Sequence, residues 1–337
     1  MTSSLLDAPV ETPTRTRSVI SARGLTRSFG SVQAVRGLDL DVAEGELVAF
    51  LGPNGAGKST SLRMLTTLLA PTAGTATVAG RDVRTDPAGV RRRIGYVGQG
   101  NGAGHAQRVA DELVTQGRAY GLGRAGSRTR AAELMDALEL TALAGRRVGT
   151  LSGGQRRRLD IALGLVHRPS LLFLDEPSTG LDPQSRANLW EHVLRLRREH
   201  GMTIFLTTHY LDEADTMAER VLVMDAGRVI ADDTAANLKR DHVGDRVVVT
   251  ASSGQDAASL AAYARGFGPS VAVDGPVVTL RVPDGPAVLP ALLRAAAGTG
   301  VVAAEVRRPT LDDVFLALTG RSLRESATAT TDEGTDR

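Results

Sequence analysis

Two stretches of this sequence have the residue types and spacing of phosphate chemistry. The first, GPNGAGKST, satisfies G-x-x-x-x-G-K-[ST] with Gly52, Gly57, Lys58 and Ser59. The apolar run ELVAFL precedes it and a helical pattern over Lys58–Leu69 follows, the context in which such a loop wraps phosphates. Gly52, Pro53, Asn54, Gly55, Ala56, Gly57, Lys58, Ser59 and Thr60 form the candidate nucleotide-binding loop. Its glycines let backbone N–H groups curl towards an anion, and a helix start adds favourable partial charge. Lys58 would reach the β- and γ-phosphates, and the Ser59 hydroxyl would ligate Mg²⁺. The second stretch, LSGGQRRRLD (Leu151–Asp160), has paired glycines, a hydroxyl and an amide at a helix start but no lysine. It resembles half of a phosphate site, far along the chain from the first.

Other polar groups end apolar strands. LLFLDEP is a buried-type run closing on two carboxylates. Asp175 would hold Mg²⁺, directly or through water, and Glu176 would orient or deprotonate an attacking water. His209 closes TIFLTTH and Gln99 closes IGYVGQ. Neighbouring parallel strands end on the ligand side of a sheet, so both would approach the γ-phosphate and its metal. Gln99 is followed by a glycine-rich run, GNGAGHAQ, which reads as a flexible joint.

Composition supports this placing. Of 337 residues, 42% are hydrophobic, enough for a substantial core, while only 3% are aromatic, too few for a base-stacking platform. The 40 basic and 38 acidic side chains give a net charge of +2 without a basic stripe, which excludes nucleic acid as the expected partner. Cysteine is absent, which rules out disulfides and thiolate metal sites and fits a cytosolic chain. The N-terminus lacks the apolar core of a signal peptide, and no apolar run reaches the ~18 residues of a membrane span. Lys58 and Lys239 are the two lysines in an arginine-rich chain. A lysine retained under such bias is expected where a compact ammonium is needed, as at Lys58; Lys239, in NLKRDH, reads as a solvated surface charge.

The elements that must position these groups alternate strand and helix from about Val19 to Asp233, which indicates a parallel α/β sheet. A helical insertion occupies about 105–165. Asp86-Pro87 marks a helix start, and Pro183–His200 and Tyr210–Ala218 read as helices. Beyond about Ala235 the pattern becomes β-α-β-β-α-β, a split βαβ, ferredoxin-like unit. PTLDDVFLALTG adds a final helix with capping-box spacing at Thr310 and Asp313. The expected organisation is a disordered segment 1–17, an α/β nucleotide-binding domain 18–235, a small α+β domain 236–320 and a disordered tail 321–337.

GPNGAGKST, Gln99, LSGGQ, LLFLDEP, STGLDP and TTH occur in the order and spacing of the nucleotide-binding subunits of ABC transporters, and the chain resembles that family over about Val19 to Asp233. The resemblance implies a P-loop NTPase cassette with a mixed sheet core, a helical subdomain and an N-terminal antiparallel β part. It makes Lys58 and Ser59 Walker A residues, Asp175 the Walker B aspartate, Glu176 the catalytic glutamate, Gln99 the Q-loop residue and His209 the switch histidine. Asp182 in STGLDP becomes the D-loop residue, and Phe29 the aromatic that stacks on adenine. Ser152, Gly153, Gly154 and Gln155 become the signature loop, which in a head-to-tail homodimer faces ATP held by Lys58 of the other subunit. RRPTLDDVFLALTG is similar to the close of the C-terminal extension in the daunorubicin/doxorubicin-resistance group.

What the resemblance implies is an ATP- and Mg²⁺-dependent hydrolase at the cytoplasmic face of a bacterial membrane. It would energise efflux of a drug- or antibiotic-like molecule through separate ABC-2 type permease subunits. Export of a lipid or polysaccharide is the alternative cargo reading; a non-transport ABC ATPase acting on ribosome or DNA is the alternative class. Gly98 and Gly100 around Gln99 depart from the group's usual pattern.

Overall fold

A computed structural model describes residues 18–322. The expected disorder of 1–17 and of 323–337 lies outside the described residues. The chain opens on two long strands, β1 (Ser18–Phe29) and β2 (Val32–Ala43), then β3 (Leu47–Leu51) and helix α1 (Lys58–Leu65). β4 (Ala73–Val78), β5 (Arg81–Asp82), α2 (Pro87–Arg91) and β6 (Ile94–Val97) follow. Three helices then come without a strand between them: α3 (Val109–Ala119), α4 (Arg124–Ala137) and α5 (Gly153–Leu165). Alternation resumes with β7 (Leu171–Asp175), α6 (Pro183–His200), β8 (Thr203–Thr208), α7 (Leu211–Met217), β9 (Arg220–Asp225), β10 (Arg228–Asp233) and α8 (Ala235–His242). The last stretch is β11 (Asp245–Ala251), α9 (Gly254–Ala264), β12 (Val271–Asp274), β13 (Val277–Val282), α10 (Gly285–Ala295), β14 (Val301–Arg307) and α11 (Leu311–Thr319).

The central sheet has the order β10-β9-β3-β8-β7-β6 and is parallel except at the β9–β10 hairpin. β3, β7 and β8 are buried at every position, as apolar strands covered on both faces must be. Their alternate side chains feed two cores. Leu47, Ala49, Leu51, Leu172 and Leu174 pack with α3–α6. Val48, Phe50, Leu171 and Phe173 pack against α1 and the antiparallel sheet β2-β1-β4-β5. A third core lies between α9, α10 and the antiparallel sheet of order β12-β13-β11-β14, the split βαβ arrangement that the pattern predicts.

Four local readings change. The helix after the phosphate loop ends at Leu65 rather than Leu69, because Thr66 caps it by donating to the Leu62 carbonyl at 2.9 Å and Thr67 turns the backbone to φ 63°. AANLKRDH forms α8, a helix absent from the sequence reading; Thr234 caps it and Leu238 anchors it in the first core. Lys239, read as a solvated surface charge, is partly exposed but paired: its Nζ meets Asp215 of α7 at 2.5 Å. Arg321, placed in the tail by the sequence reading, is pinned to Asp225 at 2.6 Å. It follows α11, whose Leu311, Val314 and Phe315 return to the first core beside α8. Thr310 and Asp313 form the capping box at the start of that helix.

Candidate active site

The carboxyl ends of β3, β8, β7 and β6 lie side by side, and each delivers polar groups to one edge of the sheet. After β3 the chain enters the loop Gly52–Gly57. A Cβ on Gly52 would sit 2.2 Å from the Met224 carbonyl oxygen, and Gly57 has φ 107°, so only glycine lets the loop curl here. The helix that follows, α1, has no side-chain cap, unlike α5 and α6, which Ser152 and Asp182 cap. Its first N–H groups are therefore not claimed by a side chain, the condition for anion binding at a helix start.

Lys58 is buried, with its Nζ donating to the carbonyls of Gly52 at 2.7 Å and Pro53 at 3.0 Å. Burial pulls its pKa down, while the charges of Glu176 and Asp175 act against that. The ammonium is thus held over the loop that would carry phosphates. Ser59 Oγ donates to Asp175 Oδ1 at 3.0 Å, and Gln99 Nε2 stands 3.4 Å from Ser59 Oγ. Asp175 is fully buried at the end of β7; Oδ2 has no hydrogen-bond partner, while Oδ1 accepts from both Ser59 and Thr207. An orphaned buried carboxylate oxygen beside a hydroxyl and an amide is an oxygen-rich donor set suited to a hard divalent cation.

Glu176 is the next residue, at φ 47°, a strained conformation for a glutamate. Its N–H is held by the carbonyl and the hydroxyl of Thr207, both at 3.1 Å. Its Oε2 lies 3.3 Å from His209 Nδ1 and accepts from Thr179 Oγ1 at 3.2 Å. The His209 contact is close enough for charge attraction but is not aligned as a hydrogen bond. Burial opposes ionisation of Glu176, yet His209, Lys58 and Thr179 outweigh it and hold its pKa below the ordinary value. Lys58, Ser59, Gln99, Asp175, Glu176 and His209 are therefore brought together from four strand ends.

The glycine end of the second stretch, Ser152, Gly153, Gly154 and Gln155, shares no hydrogen bond with them. Ser152 and Gln155 cap α5 reciprocally, at 3.3 and 3.1 Å, and Ser152 and Gly153 are exposed. Gly154 packs against the start of α6, where a Cβ would meet Ser185 Oγ at 2.8 Å. Asp182 caps that helix by accepting from the Ser185 N–H at 2.9 Å and its hydroxyl at 2.6 Å. Phe29, at the end of β1, has an exposed ring with the Arg27 guanidinium 4.6 Å from its centre.

The first comparison with known proteins gives the superfamily: the ABC transporter family model matches residues 35–179. A second model, the C-terminal domain of the DrrA1-3-like ATP-binding proteins, matches residues 234–319. A daunorubicin resistance ATP-binding protein of Streptomyces coeruleorubidus is 44% identical over 315 residues, which span 92% of this chain and 99% of the relative. The chain belongs to the daunorubicin-resistance group of ABC transporter ATP-binding proteins. This ATPase is also 40% identical to a doxorubicin resistance ATP-binding protein of Mycobacterium tuberculosis, over 89% of this chain and 93% of the relative. It is 37% identical to a Nod factor export ATP-binding protein of Rhizobium, over 91% and 98%. Among solved structures it is similar to cbiO1 of Clostridium perfringens, part of an ABC transporter complex, with a TM-score of 0.60, 28% identity and coverage of 64% and 88%. A dimeric ATP-binding cassette bound to ADP and Pi gives a TM-score of 0.59 at 25% identity, over 64% of this chain and 98% of that one. The protein is an ABC-type ATP hydrolase.

Three side chains of the ATPase site escaped the sequence reading. Thr207 joins Asp175 and Glu176, and Thr179 touches Glu176. Arg157 of α5 donates to the carbonyls of Gly98, Asp175 and Pro177. The paired threonines closing the otherwise apolar TIFL run were an available signal for the first; nothing local distinguishes Arg157 from its neighbours Arg156 and Arg158.

Proposed function

We propose that this ATPase energises efflux of a drug- or antibiotic-like small molecule through separately encoded ABC-2 type membrane subunits. The observation that carries the cargo reading is the similarity to drug-resistance ATP-binding proteins along nearly the whole chain, C-terminal domain included. Among the described residues no helix is long and apolar enough to cross a membrane, which agrees with a peripheral subunit at the cytoplasmic face.

In this reading the loop Gly52–Thr60 and the start of α1 bind the phosphates of ATP, Lys58 neutralises them, and Phe29 offers its ring to the adenine. Ser59, Asp175 and Gln99 would hold Mg²⁺, which supplies charge neutralisation at the phosphates. Glu176 accepts a proton from, or orients, the attacking water, with His209 steadying the carboxylate and the γ-phosphate. Ser152, Gln155 and Asp182 spend their side-chain hydrogen bonds on capping α5 and α6, not on this centre, which supports a homodimer in which each chain completes its partner's site. ATP held between two such surfaces favours the closed pair by mass action, and hydrolysis releases it.

The test is expression with the membrane protein of the adjacent reading frame in a drug-sensitive bacterium. Reduced anthracycline accumulation that depends on both proteins is the expected result. Unchanged accumulation with altered surface lipid or polysaccharide would move the cargo to that class.

A further inference from the structure

The stretch 98–103 around Gln99 has no regular secondary structure to hold it, yet both of its ends are fastened to one helix. Arg157 of α5 is 7% exposed and spreads its guanidinium over three carbonyls: Gly98 at 2.7 Å, Pro177 at 2.6 Å and Asp175 at 3.2 Å. Asp160, 4% exposed, accepts from the N–H groups of Gly102 at 3.0 Å and Ala103 at 3.3 Å. The two residues are three apart and share one helix face. Between the fastened ends lies Gln99, exposed, with its long contact to Ser59. A run containing Gly98, Gly100 and Gly102 has high backbone freedom, so the position of Gln99 is set by its anchors rather than by its own stiffness. Arginine suits this task, since a planar fork of donors reaches several acceptors at once where lysine cannot.

We propose that Arg157 and Asp160 are positioning residues that clamp the loop 98–103 and thereby aim Gln99 at the Ser59–Asp175 pair. Because the same guanidinium also grips Asp175 and Pro177, the clamp sets the distance between the loop after β6 and the loop after β7. The proposal rests on the reading that Gln99 serves the hydrolytic site. It also makes α5, which Ser152 caps, the element to which the geometry of the chain's own site is referred.

The test is a double-mutant cycle on ATP turnover by the full chain, with Arg157→Lys, Asp160→Asn and Gln99→Ala alone and in pairs. Each single change is expected to lower kcat about tenfold with the KM for ATP held within about twofold, the pattern of a lost transition-state interaction. Gln99→Ala added to either clamp variant is expected to cost less than about twofold more, because the clamp acts through Gln99. Losses that multiply independently would overturn the proposal. So would Gly102 and Ala103 amide hydrogens that exchange as slowly in Asp160→Asn as in the wild type, a measurement that does not depend on activity. Glu176→Gln run in parallel keeps the two readings apart. Turnover at the wild-type rate in that variant sinks the assignment of the site itself, whereas a dead variant beside an additive cycle sinks only the clamp.

Discussion

His209 Nδ1 stands 3.3 Å from Glu176 Oε2, across the neighbouring ends of β8 and β7. The same carboxylate oxygen accepts from Thr179, and the backbone of Glu176 is anchored on Thr207. The base candidate is thus fixed at its backbone and at its side chain before any substrate arrives. Glu176→Gln preserves the shape and removes the basic oxygen. Turnover is expected to fall by about 10²–10⁴-fold with nucleotide binding kept. Phosphate release and nucleotide titration check this, and size-exclusion chromatography with ATP is expected to show the dimer. Wild-type turnover would contradict the role.

The same contacts predict a pH dependence. The folded-state pKa of Glu176 lies below its ordinary value of 4.5, so it releases its proton more readily folded than unfolded. Its contribution to stability is therefore present above 4.5 and is lost as pH falls through the lower folded value. Urea midpoints of the wild type and Glu176→Gln, compared from about pH 7 to about pH 3, are expected to converge on acidification. A difference that stays constant over that range would show that the carboxylate gains nothing from its neighbours.

Gly153 lies exposed at the first turn of α5, and a Cβ there would meet only Leu181 at 3.7 Å, an ordinary contact. Gly153→Val is therefore expected to leave stability within about 1 kcal/mol of wild type and ATP binding intact. Turnover is expected to vanish, because in the proposed homodimer the added bulk would face the partner's nucleotide. Thermal unfolding, nucleotide titration and phosphate release separate these effects, and turnover at the wild-type rate would rule out a shared site.

Phe315 of α11 is fully buried in the core that also holds α3–α6 and α8. Phe315→Ala is expected to destabilise the chain by about 3–5 kcal/mol. Residues near the C-terminus thereby contribute to the stability of the nucleotide-binding part. Denaturant unfolding with nucleotide present and absent measures this; a loss under about 1 kcal/mol would mean that α11 is dispensable to that core.

Much of the site was legible because it is local. The loop GPNGAGKST needs glycines where the Gly52 backbone passes Met224 and where Gly57 turns to positive φ, and those needs are written in consecutive residues. Pro183–His200 was readable as a helix, and the structure shows its start held by the Asp182 cap and a proline at the first turn. α8 was not legible, because AANLKRDH carries few apolar positions and its main anchor, Leu238, finds its partners in distant elements. The partner of Lys239 was hidden for the same reason, since Asp215 lies 24 residues away.

The sequence by itself determined the nucleotide chemistry, the alternation of strands and helices, and the separation of the two glycine stretches along the chain. These follow from backbone rules that act over a few neighbouring residues. Tertiary structure alone decided that Ser59 and Asp175, 116 residues apart, share a hydrogen bond, and that Thr207 completes that pair. It also decided that Arg157 and Asp160 grip the loop of Gln99. Those relations depend on which strand ends lie side by side and on which buried donors must find acceptors, and sequence separation carries no record of either.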